Sequence, residues 1–307
     1  MQPIRMVTRG SPLALWQAQA TSAALMAAHP GLPEPEIVVV RTTGDRVRDR
    51  ALAEVGGKGV FTKEIDRYLL DDGADIAVHS MKDVETELDA GIVLAAMLPR
   101  EDARDAFISS VASSIADLPR GAVVGSASIR RKAQLLKLRP DLEVVLFRGN
   151  VDTRLAKLAA GEVAATLLAA AGLIRLGRAA EATAILKPVE MLPAAGQGAV
   201  GITCRSDNPE LQALLAAIDD QQTSIAVSCE RAVLARLDGS CRTPIAAQAV
   251  ISGDRIELEA MVLSEDGRQC ASTARSGAID QAMDLGDDAG RELLAAAGAD
   301  LFGSRPA

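Results

Sequence analysis

The sequence predicts an α/β protein of two or three domains with mainly parallel sheets, closed by a smaller α+β portion of antiparallel character. Three observations carry this. The chain has 307 residues, against roughly 100–200 for one domain. Strand-like apolar runs alternate with helix-period runs through its first two thirds, the pattern of strands joined by crossover helices. After residue 219 the order changes to one helix, three strand-like runs and a last helix, which suits antiparallel neighbours joined by short turns. A hydrophobic content of 49% beside 24% charged residues supplies the cores and excludes a disordered chain.

Each element has a local reason. Ser11 caps a helix, Pro12 suits its first turn, and Leu13, Trp16, Ala20 and Leu25 follow at helical spacing until Pro30 and Gly31 end it. Residues 37–40 form a strand. Residues 41–59, with Gly44, Gly56, Gly57 and Gly59, make a polar connection longer than ordinary loops and read as a lid. Residues 62–72 are amphipathic, and 75–78 form a short strand ending at the polar run His79, Ser80, Met81, Lys82, Asp83. From Pro99 a second series repeats the first in outline: strand 123–124, helix from Ser128, strand 144–147, helix from Asn150, strand 164–168. Residues 163–174 are apolar but interrupted by Thr166 and Gly172; they fall short of the roughly 18 residues a membrane span needs and read as a buried strand running into a helix. Pro188 and Pro193 frame a glycine-rich crossing into a strand at 200–204. The last portion holds a helix at 224–237, strands at 246–251, 256–263 and 269–274, and a helix at about 281–296.

Composition narrows the function classes. Lys+Arg number 33 against Asp+Glu 41, a net charge of -8, and aromatic residues are only 2%. Such a chain is poorly suited to general nucleic-acid binding, which wants a basic surface and stacking rings. An anionic partner has to be met by a local basic pocket. Cys204, Cys229, Cys241 and Cys270 include no CxxC pair, and the two histidines, His29 and His79, lie at no ligand spacing, so no metal site is predicted. The first residues lack an apolar signal region, which makes the expected compartment cytoplasmic and the thiols reduced.

Three helix starts share one chemical feature. Arg9 lies two residues before Ser11; Ser126 and Ser128 precede Arg130, Arg131 and Lys132; Arg148 precedes Asn150, with Arg154 one turn later. Each puts free backbone N–H groups, a hydroxyl or amide, and guanidinium groups at the carboxyl end of a strand, where α/β sheets bind ligands. Any one arginine there is also explained by pairing with a surface acid; three in two similar units describe a pocket for several oxyanions. Asp83 suits a general acid/base or a counter-ion for a developing cation, with Lys82 beside it; the bland reading is a charged turn, and His79 reads as a satisfied strand-end histidine. Among the cysteines only Cys241, in a loop next to Arg242, is predicted to be exposed and reactive; with no paired histidine, an incidental thiol explains it equally. Gly196, Gly198 and Gly201 form a GxGxxG followed by a strand where a dinucleotide site needs a helix. Gly57-Lys58 mimics the end of a phosphate loop, but Leu52 and Gly59 stand at its required Gly and Ser/Thr positions.

The segments VTRGSPLALWQA, VGGKGVFTKE, ADIAVHSMKDV, REDARDAF, VGSASIRRKAQL, RGNVDTRLAKL, LPAAGQGAVGI and LDGSCRTPIAA follow one another along nearly the whole chain. Together they closely resemble the hydroxymethylbilane synthase, or porphobilinogen deaminase, family. The resemblance implies two α/β domains of the periplasmic-binding-protein type flanking a cleft, plus the smaller α+β domain. In numbers it implies a discontinuous first domain (1–98 and 198–218), a second (99–197) and a third (219–307). The implied activity joins four porphobilinogen molecules stepwise, with loss of ammonia, and releases linear hydroxymethylbilane. The implied cofactor is a dipyrromethane primer held by a thioether to Cys241. Asp83 matches the catalytic aspartate, suited to stabilising an electron-poor azafulvene. Lys82, Asp45, Ser80, Ser128, Arg130 and Arg131 match the cofactor-binding set. Arg9, Ser11, Arg148, Arg154, Arg175, Phe61 and Gln197 match residues around substrate and growing chain, and Gly56, Gly57, Lys58 and Gly59 the lid loop. The implied protein is a monomer that meets porphobilinogen and the polypyrrole, with no nucleic acid, membrane or metal. Departures are local: Glu85 stands where the family commonly has Pro, Ser240 replaces a glycine before Cys241, Arg242-Thr243 follow it, and Ala127 stands between Ser126 and Ser128. The rival reading is a cytoplasmic two-domain binding protein for a small polycarboxylate, which would need neither Cys241 nor Asp83.

Overall fold

The computed structural model describes residues 2–46, 59, 61–237 and 243–301, without the side chains of residues 45, 46 and 298–301. β1 (Arg5–Arg9) leads into α1 (Pro12–Ala28), where Ser11 Oγ accepts from the Ala14 N–H at 3.3 Å as N-cap. β2 (Glu36–Val40) pairs parallel with β1. After α2 (Thr43–Arg46) and α3 (Lys63–Leu70), β3 (Ile76–Ser80) pairs parallel on the other edge of β1. β4 (Ile92–Leu98) and β10 (Val200–Arg205) complete a five-stranded sheet of order β2-β1-β3-β10-β4.

The second sheet holds β5 (Asp105–Ser109), β6 (Val123–Gly125), β7 (Glu143–Val145), β8 (Ala165–Ala169) and β9 (Ala184–Ile185), in the order β7-β6-β8-β5-β9. Helices α4 (Ile129–Leu138), α5 (Val151–Ala159) and α6 (Ala170–Arg175) follow β6, β7 and β8. After β10, α7 (Pro209–Ala216) packs on the first sheet. The antiparallel meander β11 (Ile245–Ser252), β12 (Arg255–Leu263), β13 (Cys270–Ala278) then packs under α8 (Gln221–Arg236) and α9 (Ala282–Leu301). The architecture is two α/β units, each on a five-stranded sheet, and a smaller α+β unit on a three-stranded sheet, in accord with the α/β and α+β portions expected from the sequence.

Four of the five strands in each α/β sheet share one direction, as the expectation of mainly parallel sheets requires, and one strand in each is reversed. β10 runs antiparallel to both β3 and β4, and β5 antiparallel to both β8 and β9. Both strands adjoin the two crossings between the sheets, so they enter from the opposite end to the βα repeats. β4, β5 and the short α2 are not among the elements expected from the sequence.

Cores form on both faces of the strands, as alternation requires. Met6 and Ile76 join Leu25 of α1 on one face of the first sheet, while Val7 and Ala77 join Ile65 and Leu69 of α3 on the other. The two crossings touch backbone to backbone: Gly198 has φ +87°, and a Cβ there would sit 2.3 Å from the Glu101 carbonyl oxygen. Gly201 likewise leaves room for the Met81 sulfur. The GxGxxG spacing is thus a packing requirement.

Glu230 of α8, fully buried, ties these parts together. Its carboxylate accepts from Arg100 Nη1 and Nη2 at 2.6 and 3.1 Å, from the Gly196 N–H at 2.7 Å and from the Ala249 N–H at 2.7 Å. Arg100 Nε donates to the Gln197 carbonyl at 2.9 Å. One carboxylate therefore holds both crossings, α8 and β11. Removing one partner of a buried, fully bonded ion pair costs about 3–5 kcal/mol. Glu230→Ala is expected to lower the urea unfolding midpoint accordingly; a midpoint within 0.2 M (about the resolution of such curves) of the parent would remove Glu230 from this role.

Candidate active site

One wall is built at the carboxyl ends of β1 and β3. β1 ends at Arg9 and β3 at Ser80, and the 3-10 turn Met81–Asp83 follows, its Met81 N–H donating to the Ala199 carbonyl at 3.1 Å. Arg9 Nη1 lies 3.9 Å from Asp83 Oδ2, both side chains partly exposed. The Phe61 ring lies under the Arg9 guanidinium, 4.1 Å from its centroid, a cation–π contact. Arg9, Ser11, Phe61, Ser80, Lys82 and Asp83 thus line one cavity of about 90 Å³. That is well below the roughly 300–1,000 Å³ of a drug-sized ligand site.

Two members of this wall are already engaged. Ser80 Oγ accepts from Gln17 Nε2 at 2.8 Å, and Ser11 Oγ serves its helix cap. His79 is buried against Thr203 Oγ1 at 3.1 Å; burial, aided by the Arg9 charge, pushes its pKa down to about 4. It is neutral near pH 7, in accord with a structural role.

The facing wall comes from the starts of α4 and α5. Ser128 Oγ accepts from the Arg131 N–H at 3.4 Å and Asn150 Oδ1 from the Thr153 N–H at 2.9 Å, closing the two caps. Arg130 and Arg131 are both 5% exposed and converge on Asp105, which is fully buried. Arg130 Nη2 donates to Asp105 Oδ2 and Arg131 Nη2 to Oδ1, each at 2.7 Å. Their remaining Nη1 groups donate to the Leu192 and Leu167 carbonyls. Burial alone would raise the Asp105 carboxyl, but the two guanidinium charges and their hydrogen bonds hold it well below the usual carboxylate range. Arg130 and Arg131 therefore stand inside the wall as its fixed charge.

Lys82 and Gln197 link the walls. Lys82 Nζ donates to Gln197 Oε1 at 3.3 Å, and Gln197 Nε2 donates to the Ala103 carbonyl at 2.6 Å and to Asp105 Oδ1 at 2.9 Å. Arg148 Nη2 reaches the Gly44 carbonyl at 3.3 Å. Burial, then the Arg131 and Arg130 charges, lower Lys82 to about 8, with Asp83 and Asp105 opposing. Burial, Arg131 and Arg148 lower Arg154 to about 10, with Asp83 opposing. A cluster of cations that disfavour one another's charge is suited to a ligand bringing several carboxylates. Arg175 sits apart from this cluster, donating to the Gly198 carbonyl at 2.7 Å beside the Trp16 ring.

Cys241, Gly56, Gly57 and Lys58 lie outside the described residues, as does the side chain of Asp45; Gly59 is described. Cys204 and Cys229 are buried in a strand and a helix, and burial pushes the Cys229 thiol up to about 12. Sequence reasoning assigned no role to Asp105. An acid opening an apolar strand was its only signal, and without the facing arginines that signal has no meaning. Among the described residues no cluster of His, Cys, Asp or Glu is arranged to hold a metal, and no helix is long and apolar enough to cross a membrane.

The fold and site define a two-walled α/β protein whose cleft sets several fixed cations around one carboxylate. The chain belongs to the porphobilinogen deaminase family: residues 4–213 match "Porphobilinogen deaminase, dipyromethane cofactor binding domain" and residues 224–295 match "Porphobilinogen deaminase, C-terminal domain". It is 53% identical over 307 residues to the chloroplastic porphobilinogen deaminase of Oryza sativa subsp. japonica, spanning 98% of this chain and 86% of that protein. It is 53% identical to that of Nitrobacter hamburgensis (96% and 94% spanned) and 52% identical to that of Paracoccus denitrificans (98% and 96%). A periplasmic substrate-binding protein from Coxiella burnetii overlays 70% of this chain and 91% of its own at 16% identity and a TM-score of 0.45, a likeness too loose to inform the site.

Behind the Phe61 turn, Asp66 of α3 is buried. Burial and the nearby Asp89 and Glu85 charges raise its carboxyl to about 6, against an opposing hydrogen bond from Thr62. A folded-state pKa above the unfolded value near 3.8 means the folded form holds the extra proton, so this contribution to stability is lost as pH rises from about 4 to about 6. Asp66→Asn is expected to stabilise the protein at pH 7.5 by about 1–3 kcal/mol and not at pH 4. Urea unfolding at both pH values checks this; an equal gain at both would contradict it.

Proposed function

We propose that Asp83 is the catalytic carboxylate of a transferase that condenses four porphobilinogen molecules stepwise, with loss of ammonia, onto a dipyrromethane primer and releases linear hydroxymethylbilane. The observation that carries this is the setting of Asp83: 3.9 Å from the Arg9 guanidinium, in one cavity with Lys82 and Phe61. The donor set fits the cofactor: Lys82 and Arg154 have their charged forms disfavoured by burial and by neighbouring cations, a cost that bound carboxylates offset. When bound, the dipyrromethane supplies the pyrrole carbon to which the first substrate is joined.

The chain's own groups divide the remaining work. Asp83 delivers a proton toward the departing amine and receives the one released from the pyrrole that is attacked, and its negative charge stabilises positive charge developing on the substrate. Arg9 and Ser11 hold substrate carboxylates at the first wall. Lys82, Asp45, Ser80, Ser128, Arg130 and Arg131 make the cofactor set, Arg130 and Arg131 by supplying fixed positive charge from within the wall. Arg148, Arg154 and Arg175 serve the lengthening chain, and Gln197 couples the walls. Cys241 carries the cofactor through a thioether. The domains in this reading are residues 1–98 with 198–218, residues 99–197 and residues 219–307, acting as a cytoplasmic monomer without nucleic acid or membrane.

Two variants test it. Asp83→Asn is expected to reduce porphobilinogen consumption by about 10²–10⁴-fold while the denatured protein keeps its dipyrromethane mass. Cys241→Ala is expected to show the mass of the bare chain. Near-normal turnover in the first, or a retained adduct in the second, would remove the residue from its role.

A further inference from the structure

Glu85, standing where the family commonly has proline, makes a contact that proline would not. Its Oε1 accepts from the Gly59 N–H at 2.6 Å. The Gly59 carbonyl accepts from the Thr62 and Lys63 N–H groups, which follow Phe61, at 3.1 and 2.9 Å, and Gly59 itself has φ +73°. Glu85 is in turn fixed from the C-terminal unit. Arg231 of α8 donates to the carbonyls of Val84, Glu85 and Thr86 at 3.3, 2.7 and 2.9 Å.

The other side of the Phe61 ring is held as well. It lies so close to Gly44 that a Cβ there would fall 2.2 Å from the ring edge. The preceding Thr43 is held by Glu64, whose Oε1 accepts from the Thr43 N–H at 2.8 Å and from its Oγ1 at 2.5 Å. Phe61 therefore sits between two backbone segments, each pinned by a carboxylate, with its face on Arg9.

We propose that Glu85 is a positioning residue: its carboxylate, carried on backbone that Arg231 holds, fixes Gly59, whose carbonyl binds the Thr62 and Lys63 N–H groups, and so seats the Phe61 ring against Arg9, beside Asp83. The consequence for the reaction rests on the assignment of Arg9 and Asp83 made above; the seating of Phe61 does not. A glutamine keeps an acceptor oxygen at the same reach, whereas alanine removes it.

The chain has four phenylalanines, so uniform 4-fluorophenylalanine labelling of the whole protein gives four ¹⁹F resonances, and loss of one in Phe61→Leu assigns Phe61. In Glu85→Ala the Phe61 resonance is expected to shift or broaden while those of Phe107 and Phe147 stay in place, and kcat/KM for porphobilinogen to fall about tenfold, the scale of one lost hydrogen bond to a charged group. Glu85→Gln is expected to restore both readouts. An unmoved Phe61 resonance in the alanine variant overturns the proposal whatever turnover does. A displaced resonance with unchanged kcat/KM overturns its link to the reaction, and failure of glutamine to restore the resonance overturns the role of the acceptor oxygen.

Discussion

The cleft depends on one buried carboxylate. Asp105 has no exposure, yet it receives hydrogen bonds from Arg130, Arg131 and Gln197. An uncompensated charge at such a place would be very costly, and so would two buried guanidinium groups without a partner. Each makes the other tolerable, and because two cations meet one anion, the cluster keeps a net positive charge in the wall. Through Gln197 that cluster reaches Lys82, and from Lys82 it is one residue to Asp83. One hydrogen-bond chain, Asp105–Gln197–Lys82, therefore joins the facing wall to the segment that carries the proposed catalytic carboxylate.

A second buried carboxylate does the corresponding work away from the cleft. Glu230 binds Arg100, the Gly196 N–H and the Ala249 N–H, so the C-terminal unit grips the two crossings from which Gln197 and Asp105 extend. Arg231, the next residue, grips the segment after Asp83. The C-terminal unit is thus bonded to both structures that locate the site. The net charge of -8 does not conflict with a locally basic cleft, because Arg9, Lys82, Arg130, Arg131 and Arg154 are gathered there and Asp105 holds two of them.

Much of this was legible in the chain. Helix starts at Ser11, Ser128 and Asn150 were readable because hydroxyl and amide caps have a local signature, and the structure places all three as caps. The arginines beside these caps are visible in the sequence as a group, and the structure brings Arg9 to the cavity and Arg130 and Arg131 to Asp105. Strands β5 and β10 were harder, since their direction depends on crossings between sheets, a property no window of sequence contains. Asp105 illustrates the limit: within REDARDAF it is one acid among several, and only tertiary pairing separates it from Asp102, whose carboxylate holds Arg104 near the surface. Conversely, Arg130 and Arg131 looked alike to Arg9 in the sequence, yet they are buried donors to the interior and Arg9 faces the cavity.

Asp105 thus sets the charge and position of the wall built by the starts of α4 and α5. The most direct measurement is the denatured intact mass and porphobilinogen turnover of purified Asp105→Asn, with circular dichroism showing that it is folded. A folded protein that carries little or no dipyrromethane and turns over slowly is expected, because without a counter-charge the two buried guanidinium groups no longer keep their places in the wall. Full cofactor occupancy with parental turnover would contradict it.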